Sequence, residues 1–256
     1  MALRIEHLTK TFGGLTAVSN FSLQLGDREI QGVIGPNGAG KTTVFNLITG
    51  VYQPDRGQVL LEDQDITRLT PDTIARAGIA RTFQNIRLFA QMTVLDNITM
   101  ALHAHTGYSL WGAVFRTKNF RQQEARLRSA SLEHLDRFGL ADRRHELAGS
   151  LPYGEQRRLE IARALATGPK VLLLDEPAAG MNPHEVEELI VLVRRVHADF
   201  PLAILLIEHQ MPVVLELCSH IQVLDFGQTI AEGPPREVTS HPRVIEAYLG
   251  EDEVSA

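Results

Sequence analysis

The sequence predicts an α/β fold around a mostly parallel sheet. Three observations carry that reading. Ile30–Ile34 is a compact apolar run ending in Gly35, and Val171–Leu174 is continuously apolar, as expected of a strand buried on both faces. Strand runs alternate with helix-period segments along the chain, the order a parallel α/β core requires. A glycine-rich loop then joins the first of these strands to the helix pattern that follows it.

Each element has its own local reason. Leu3, Ile5 and Leu8, then Phe21, Leu23 and Leu25, alternate in part and read as short strands. A helix pattern covers Thr42–Thr49, with Gly50 placed to close it, and Val59–Leu61 reads as a strand. From Thr93 the pattern turns helical, Thr93 serving as cap with Asp96 three residues on as its capping-box partner. Arg116–Phe138 is long, charged and amphipathic. Glu155–Ala166 puts Leu159, Ala162 and Leu165 on one face. Asn182 and Pro183 start a helix as cap and first helical residue. Ala203–Ile207 and Ile221–Leu224 are further strands, and a helix is expected around Val244–Leu249 before an acidic, fraying tail. The chain reads as one domain: a core with β subdomain over 1–87 and 161–233, an inserted helical subdomain over 88–160, and a tail over 234–256.

Composition narrows the function. At 256 residues the chain holds about 1.7 average domains, and 22% charged with 44% hydrophobic residues is an ordinary globular balance. One cysteine, Cys218, excludes an intrachain disulfide and a cysteine-rich zinc site; its apolar helical setting reads as core. A net charge of −6 disfavours a broad duplex-DNA binder. The longest apolar runs, Leu189–Val193 and Leu202–Ile207, fall far short of the roughly 18 residues of a membrane span. The opening MALRIEHLTK lacks the apolar stretch of a secretory signal. Any membrane role is therefore expected to act from outside the bilayer. Met211, Val214 and Leu215 are read as core at helical spacing, and Arg157 and Arg158 as a solvated or partner-facing helix face. Trp111, with Leu110, Val114 and Phe115, is read as a packed cap on the helical insertion.

Gly35-Pro36-Asn37-Gly38-Ala39-Gly40-Lys41-Thr42-Thr43 matches G-x-x-x-x-G-K-[ST]. A polyphosphate must be wrapped by backbone N–H groups, and a side chain at the glycines would block that approach. The helix that follows aims its positive end at the phosphates. Lys41 supplies a cation to the β- and γ-phosphates, and Thr42 a hydroxyl to Mg²⁺. A chance match anywhere in a chain of this length is on the order of 1%. The second acidic signal is Asp175-Glu176 directly after Val171–Leu174. Ligand chemistry in open α/β sheets sits at the carboxyl ends of strands. Asp175 would hold Mg²⁺, directly or through water, and Glu176 would orient or deprotonate an attacking water.

A third segment, Leu151-Pro152-Tyr153-Gly154-Glu155-Gln156, opens a helix with a glycine, a further candidate anion site. The ordered set GPNGAGKTT, RTFQ, LPYGEQ, VLLLDEP and LLIEHQ resembles the nucleotide-binding domain of ATP-binding cassette (ABC) transporters over nearly the whole chain. The resemblance implies a P-loop NTPase (RecA-like) core with an N-terminal antiparallel β subdomain and an inserted α-helical subdomain. It also implies ATP and Mg²⁺, with two such domains pairing head to tail around two ATP molecules. Phe12 would stack on adenine, Gln84 would meet Mg²⁺ and the water, and His209 would touch the γ-phosphate. Tyr153, Gly154, Glu155 and Gln156 would contact the ATP of the partner, and Ala178–Asn182 would signal between the two sites. Pro152 departs from the serine usual in the family, removing a hydroxyl and an N–H.

Within the family, RTFQNIRLFAQMTVLDNITMAL, AAGMN and VIEAYLGE look most like the larger ATPase subunit of branched-chain amino acid importers. That implies a second ATPase subunit, two permease subunits and a periplasmic solute-binding protein as partners, no nucleic acid, and a place on the cytoplasmic face of the inner membrane. Related systems carry urea or other amino acids, or export lipopolysaccharide. A ribosome or DNA-repair ATPase is disfavoured by the short chain and acidic balance. A switch GTPase would need an N-K-x-D motif, which the sequence lacks. A nucleotide clamp without hydrolysis is disfavoured by Glu176 and His209 and mildly favoured by Pro152.

Overall fold

The computed structural model describes residues 1–103 and 118–254. The expectations at Leu110, Trp111, Val114 and Phe115 lie outside the described residues. The chain divides into two compact units, Met1–Gln84 with Lys170–Ala256, and Asn85–Pro169.

The first unit holds two sheets. Strands β1 (Leu3–Phe12), β2 (Leu15–Leu25), β4 (Arg56–Leu61) and β5 (Gln64–Asp65) form an antiparallel sheet in the order β2-β1-β4-β5. The larger sheet takes β3 (Ile30–Ile34), β6 (Ile79–Arg81), β7 (Val171–Asp175), β8 (Ala203–Ile207), β9 (His220–Asp225) and β10 (Gln228–Gly233) in the order β10-β9-β3-β8-β7-β6. Its pairings are parallel except for the β9–β10 hairpin. Every residue of β3, β7 and β8 is buried, which is why Val171–Leu174 and Ala203–Ile207 read as unbroken runs rather than alternations, while Gln31 is the one polar residue inside β3. Because β3, β8 and β7 are parallel neighbours, their carboxyl ends lie side by side at one edge of the sheet. The open edge of β2 is latched by two buried glutamines, Gln31 Nε2 donating to Gln24 O at 2.8 Å and Gln222 Nε2 to Ser22 O at 2.9 Å.

The local signals hold where they were strongest. Asn182 makes a full capping box, its Oδ1 accepting from Glu185 N at 3.0 Å while Glu185 Oε2 accepts from Asn182 N at 2.9 Å. Gly50 ends helix α1 (Lys41–Ile48) at φ +71°, where a Cβ would stand 2.8 Å from Leu69 O. The C-terminal helix runs Pro242–Val254, past the expected Leu249 and into the acidic tail. Pro71–Ala77 and β6 carry too few residues to leave a periodic signal, and β10, half of it polar and exposed, shows no apolar run. On the helix Met211–Leu217, Val213, Val214 and Leu217 are buried and Cys218 follows as its cap, whereas Leu215 is exposed, against its expected core place. The helix is only seven residues long, and its inward face falls at 213, 214 and 217.

The second unit packs the helices Val94–His103, Lys118–Arg137 and Tyr153–Ala166 with two short 3-10 turns. Thr93 Oγ1 accepts from Asp96 N at 3.1 Å, the Thr half of the expected box. Leu159, Ala162 and Leu165 face the core as expected. Arg157 does not lie on a solvated face: it is fully buried, its Nη1 pairing with Glu160 Oε2 at 2.8 Å. Glu160 Oε1 in turn accepts from Arg87 N at 3.0 Å, so the pair fastens the segment after Gln84 to this helix. Arg158 is half-buried.

Candidate active site

The phosphate loop leaves β3 at Gly35, whose φ is +145° and whose Cβ would fall 2.0 Å from Leu224 O. Gly40, at φ +105°, would put a Cβ 2.4 Å from Ala17 O. Both glycines are thus demanded by neighbouring backbone. At Gly38 a Cβ would meet nothing within 4 Å, so that residue leaves the mouth of the loop open. Pro36 and Ala39 are buried, Asn37, Gly38 and Thr42 exposed, Gly40 and Thr43 half-buried. Lys41, the first residue of α1, is 6% exposed, and its Nζ donates to Gly35 O and Pro36 O at 2.7 Å each. The ammonium therefore closes the loop from inside. The first-turn N–H groups of α1 lack intrahelical acceptors, which suits the loop to an anion.

At the carboxyl end of β7, Asp175 Oδ2 lies 2.6 Å from Arg81 Nη2, and both side chains are 6% exposed. Arg81 Nη1 also donates to Asn46 Oδ1 at 2.8 Å. Its guanidinium carbon lies 5.4 Å from the Phe45 ring centre and 5.0 Å from that of Phe83. The next residue, Glu176, turns away with φ +44° while its N–H donates to Ile207 O at 2.9 Å. Gln84 Nε2 donates to Glu176 Oε2 at 2.6 Å. His209 Nδ1 stands 3.9 Å from the same oxygen. Gln84 and His209, 92 residues before and 33 residues after Glu176, converge on one of its carboxylate oxygens.

The donor set fits a hard divalent ion: a hydroxyl at Thr42, an amide at Gln84 and a carboxylate at Asp175. Among the described residues no cluster of three or more His, Cys, Asp or Glu side chains would hold a metal unaided. Mg²⁺ usually takes one or two protein oxygens and completes its shell with phosphate and water.

Phe12 ends β1 40% exposed, its ring edge-on to Tyr52 at 5.1 Å with Lys10 Nζ 5.4 Å away. In the second unit Pro152 is the N-cap of the Tyr153–Ala166 helix rather than part of its first turn, its carbonyl accepting from Gln156 N at 2.9 Å. Tyr153 is exposed and its hydroxyl accepts from Arg157 Nη2 at 3.3 Å. Gly154 is half-buried, as is Glu155, whose Oε2 lies 3.5 Å from Arg143 Nε. Gln156 Nε2 turns back to Leu151 O at 2.8 Å.

Sequence reasoning missed two residues. Arg81 gave no signal of its own, because its partner Asp175 lies 94 residues away. Glu208 did give one: it follows the aliphatic run of β8 as Asp175 ends that of β7. Its fully buried carboxylate accepts from three backbone N–H groups, those of Ala178, His209 and Gln210.

Residues 18–179 match the family model described as ABC transporter. The chain belongs to the ABC transporter family. Residues 228–254 of this cassette match a second model, described as branched-chain amino acid ATP-binding cassette transporter. The high-affinity branched-chain amino acid transport ATP-binding protein BraF of Pseudomonas aeruginosa is 43% identical, over 97% of this chain and 98% of its own. LivG of Escherichia coli, of the same description, is 45% identical over the same shares. A crystal structure of an ATP-binding cassette in its ADP conformation superposes with TM-score 0.84 at 35% identity, covering 97% of this chain and 98% of that one. A nucleotide-free cassette superposes at 0.83 with 34% identity, covering 96% of this chain and 98% of its own.

Proposed function

We propose that this cassette binds and hydrolyses ATP to power a membrane importer of branched-chain amino acids. The observation that carries it is the convergence of Gln84 and His209 on Glu176, beside a lysine-closed phosphate loop. The solute class rests on the relatives and on the match of the C-terminal segment.

The loop from Gly35 to Thr43 takes the triphosphate, with Lys41 as its cation and the α1 amides as donors. Phe12, 40% exposed, would stack on the base. Mg²⁺, when bound, would neutralise phosphate charge, with Thr42, Asp175 and Gln84 supplying its protein oxygens. Glu176 accepts the proton of the attacking water or orients it for in-line attack. Gln84 holds the glutamate by its amide, and His209 lies on the same oxygen, ready to turn to the γ-phosphate. Tyr153–Gln156 completes the site of a second ATPase subunit, so the working unit is a head-to-tail pair. Two permease subunits and a periplasmic solute-binding protein complete the importer, with the cassette on the cytoplasmic face of the inner membrane. No helix among the described residues is long and apolar enough to cross a membrane.

Glu176→Gln tests the assignment. The amide keeps the shape and loses basicity, so ATP affinity is expected to hold while turnover stalls and ATP-bound dimers accumulate. Turnover within twofold of the parent would assign the water to another group.

A further inference from the structure

The turns that carry Glu176 and His209 leave neighbouring parallel strands, β7 and β8, and one side chain ties them together. Glu208 is the first residue beyond β8. Its Oε1 accepts from Ala178 N at 2.9 Å, two residues past Glu176. Its Oε2 accepts from His209 N at 2.8 Å and Gln210 N at 3.0 Å. Gln210 Nε2 returns to Ala178 O at 2.9 Å, closing a ring between the two turns. A charge taken wholly out of water is stable only when its oxygens are satisfied, and three amide donors do that here.

From this geometry we infer that Glu208 is a positioning residue, locking the His209 turn to the Glu176 turn so that histidine and glutamate keep their spacing during hydrolysis. The inference rests on the proposed roles of Glu176 and His209. The site requires a carboxylate. Three N–H donors face two acceptor oxygens, and an amide at this position would turn its own N–H₂ against at least one of them. Aspartate, one methylene shorter, cannot span both turns from the same backbone.

The test is steady-state ATPase and Mg-ATP affinity of the full-length parent, Glu208→Gln, His209→Ala and the double variant. Melting temperature is followed throughout. Glu208→Gln should lower kcat ten- to a hundredfold and leave the dissociation constant for ATP within twofold, because the phosphate loop is untouched. The double variant should be no slower than His209→Ala, since Glu208 acts through the histidine. A kcat for Glu208→Gln within twofold of the parent overturns the inference, as do losses that multiply in the double variant. If His209→Ala itself keeps the parent's kcat, the histidine's role falls first and the inference with it, an outcome told apart from the others by that single variant. Should Glu208→Gln fail to fold, Glu208→Asp decides: it keeps the charge and shortens the reach between the two turns. A reduced kcat at unchanged affinity then supports the inference, and an unchanged kcat overturns it.

Discussion

Replacing Arg81 with methionine should destabilise the protein by about 3–5 kcal/mol, the cost of leaving one partner of a buried ion pair alone. The setting justifies the upper range of electrostatic effects. Both side chains of the Arg81–Asp175 pair are 6% exposed and the contact is 2.6 Å, so water screens it poorly. Methionine keeps the unbranched stem and can still pack between Phe45 and Phe83, which limits the change to charge and hydrogen bonds. Arg81 also donates to Asn46 Oδ1, and that bond is lost as well. At roughly 2–4 °C per kcal/mol for a chain of this size, the melting temperature should fall by about 6–20 °C. Calorimetry without nucleotide measures it. Adding Asp175→Asn to Arg81→Met removes the stranded charge and should recover most of the loss. A cost below about 1 kcal/mol, or no recovery in the double variant, would refute the claim that charge burial at the end of β7 sets this term.

Two further predictions concern the helix start and the lone cysteine. Pro152→Ser restores a capping side chain at an N-cap, which should raise stability by about 1 kcal/mol. If the hydroxyl also reaches the partner's phosphate, hydrolysis should speed up by roughly tenfold and at most a hundredfold, read as steady-state ATPase; equal rates would mean the helix start alone suffices. Burial, with the Glu208 charge adding to it, pushes the Cys218 thiol up to about 12, so the native protein should resist alkylation at pH 9 and react once unfolded. The sign of the linked stability follows: the unfolded thiol ionises first, so stability should fall as pH rises from about 9 towards the folded value of about 12.

The parts of the fold legible in the sequence are those where one local rule decides. The β7 and β8 runs are buried on both faces and so are continuously aliphatic up to their last residues, and β3 is legible from the glycine-rich loop that follows it despite Gln31. Asn182 followed by Pro183 marks its helix start, and the structure adds Glu185 as the second half of a capping box. The loop glycines were legible as a motif, but the reason for two of them was not. Gly35 and Gly40 are fixed by Leu224 O and Ala17 O, backbone atoms that no sequence pattern places there. Arg157 misled for a related reason. A charged residue at helix spacing reads as solvated; its partner Glu160 stands three residues on along the same helix, and only tertiary packing buries the pair.

The same limit explains why the carboxylates of the site were only half readable. Three of them stand at or just beyond the ends of β7 and β8, and by residue type they are interchangeable. Their partners make them different. Asp175 faces a fixed cation, Arg81, and is held in place by it. Glu208 faces three main-chain amides and cannot turn without breaking both turns. Glu176 faces the side chains of Gln84 and His209, which rotate about their own bonds, and it retains some exposure. A proton acceptor for water must be able to exchange its partner for that water, and of the three carboxylates Glu176 is the one whose partners can move aside without unravelling a strand end. On the proposed roles, the three carboxylates are told apart by what each is bonded to, information that exists only once the β3-β8-β7 order has brought distant segments to one edge.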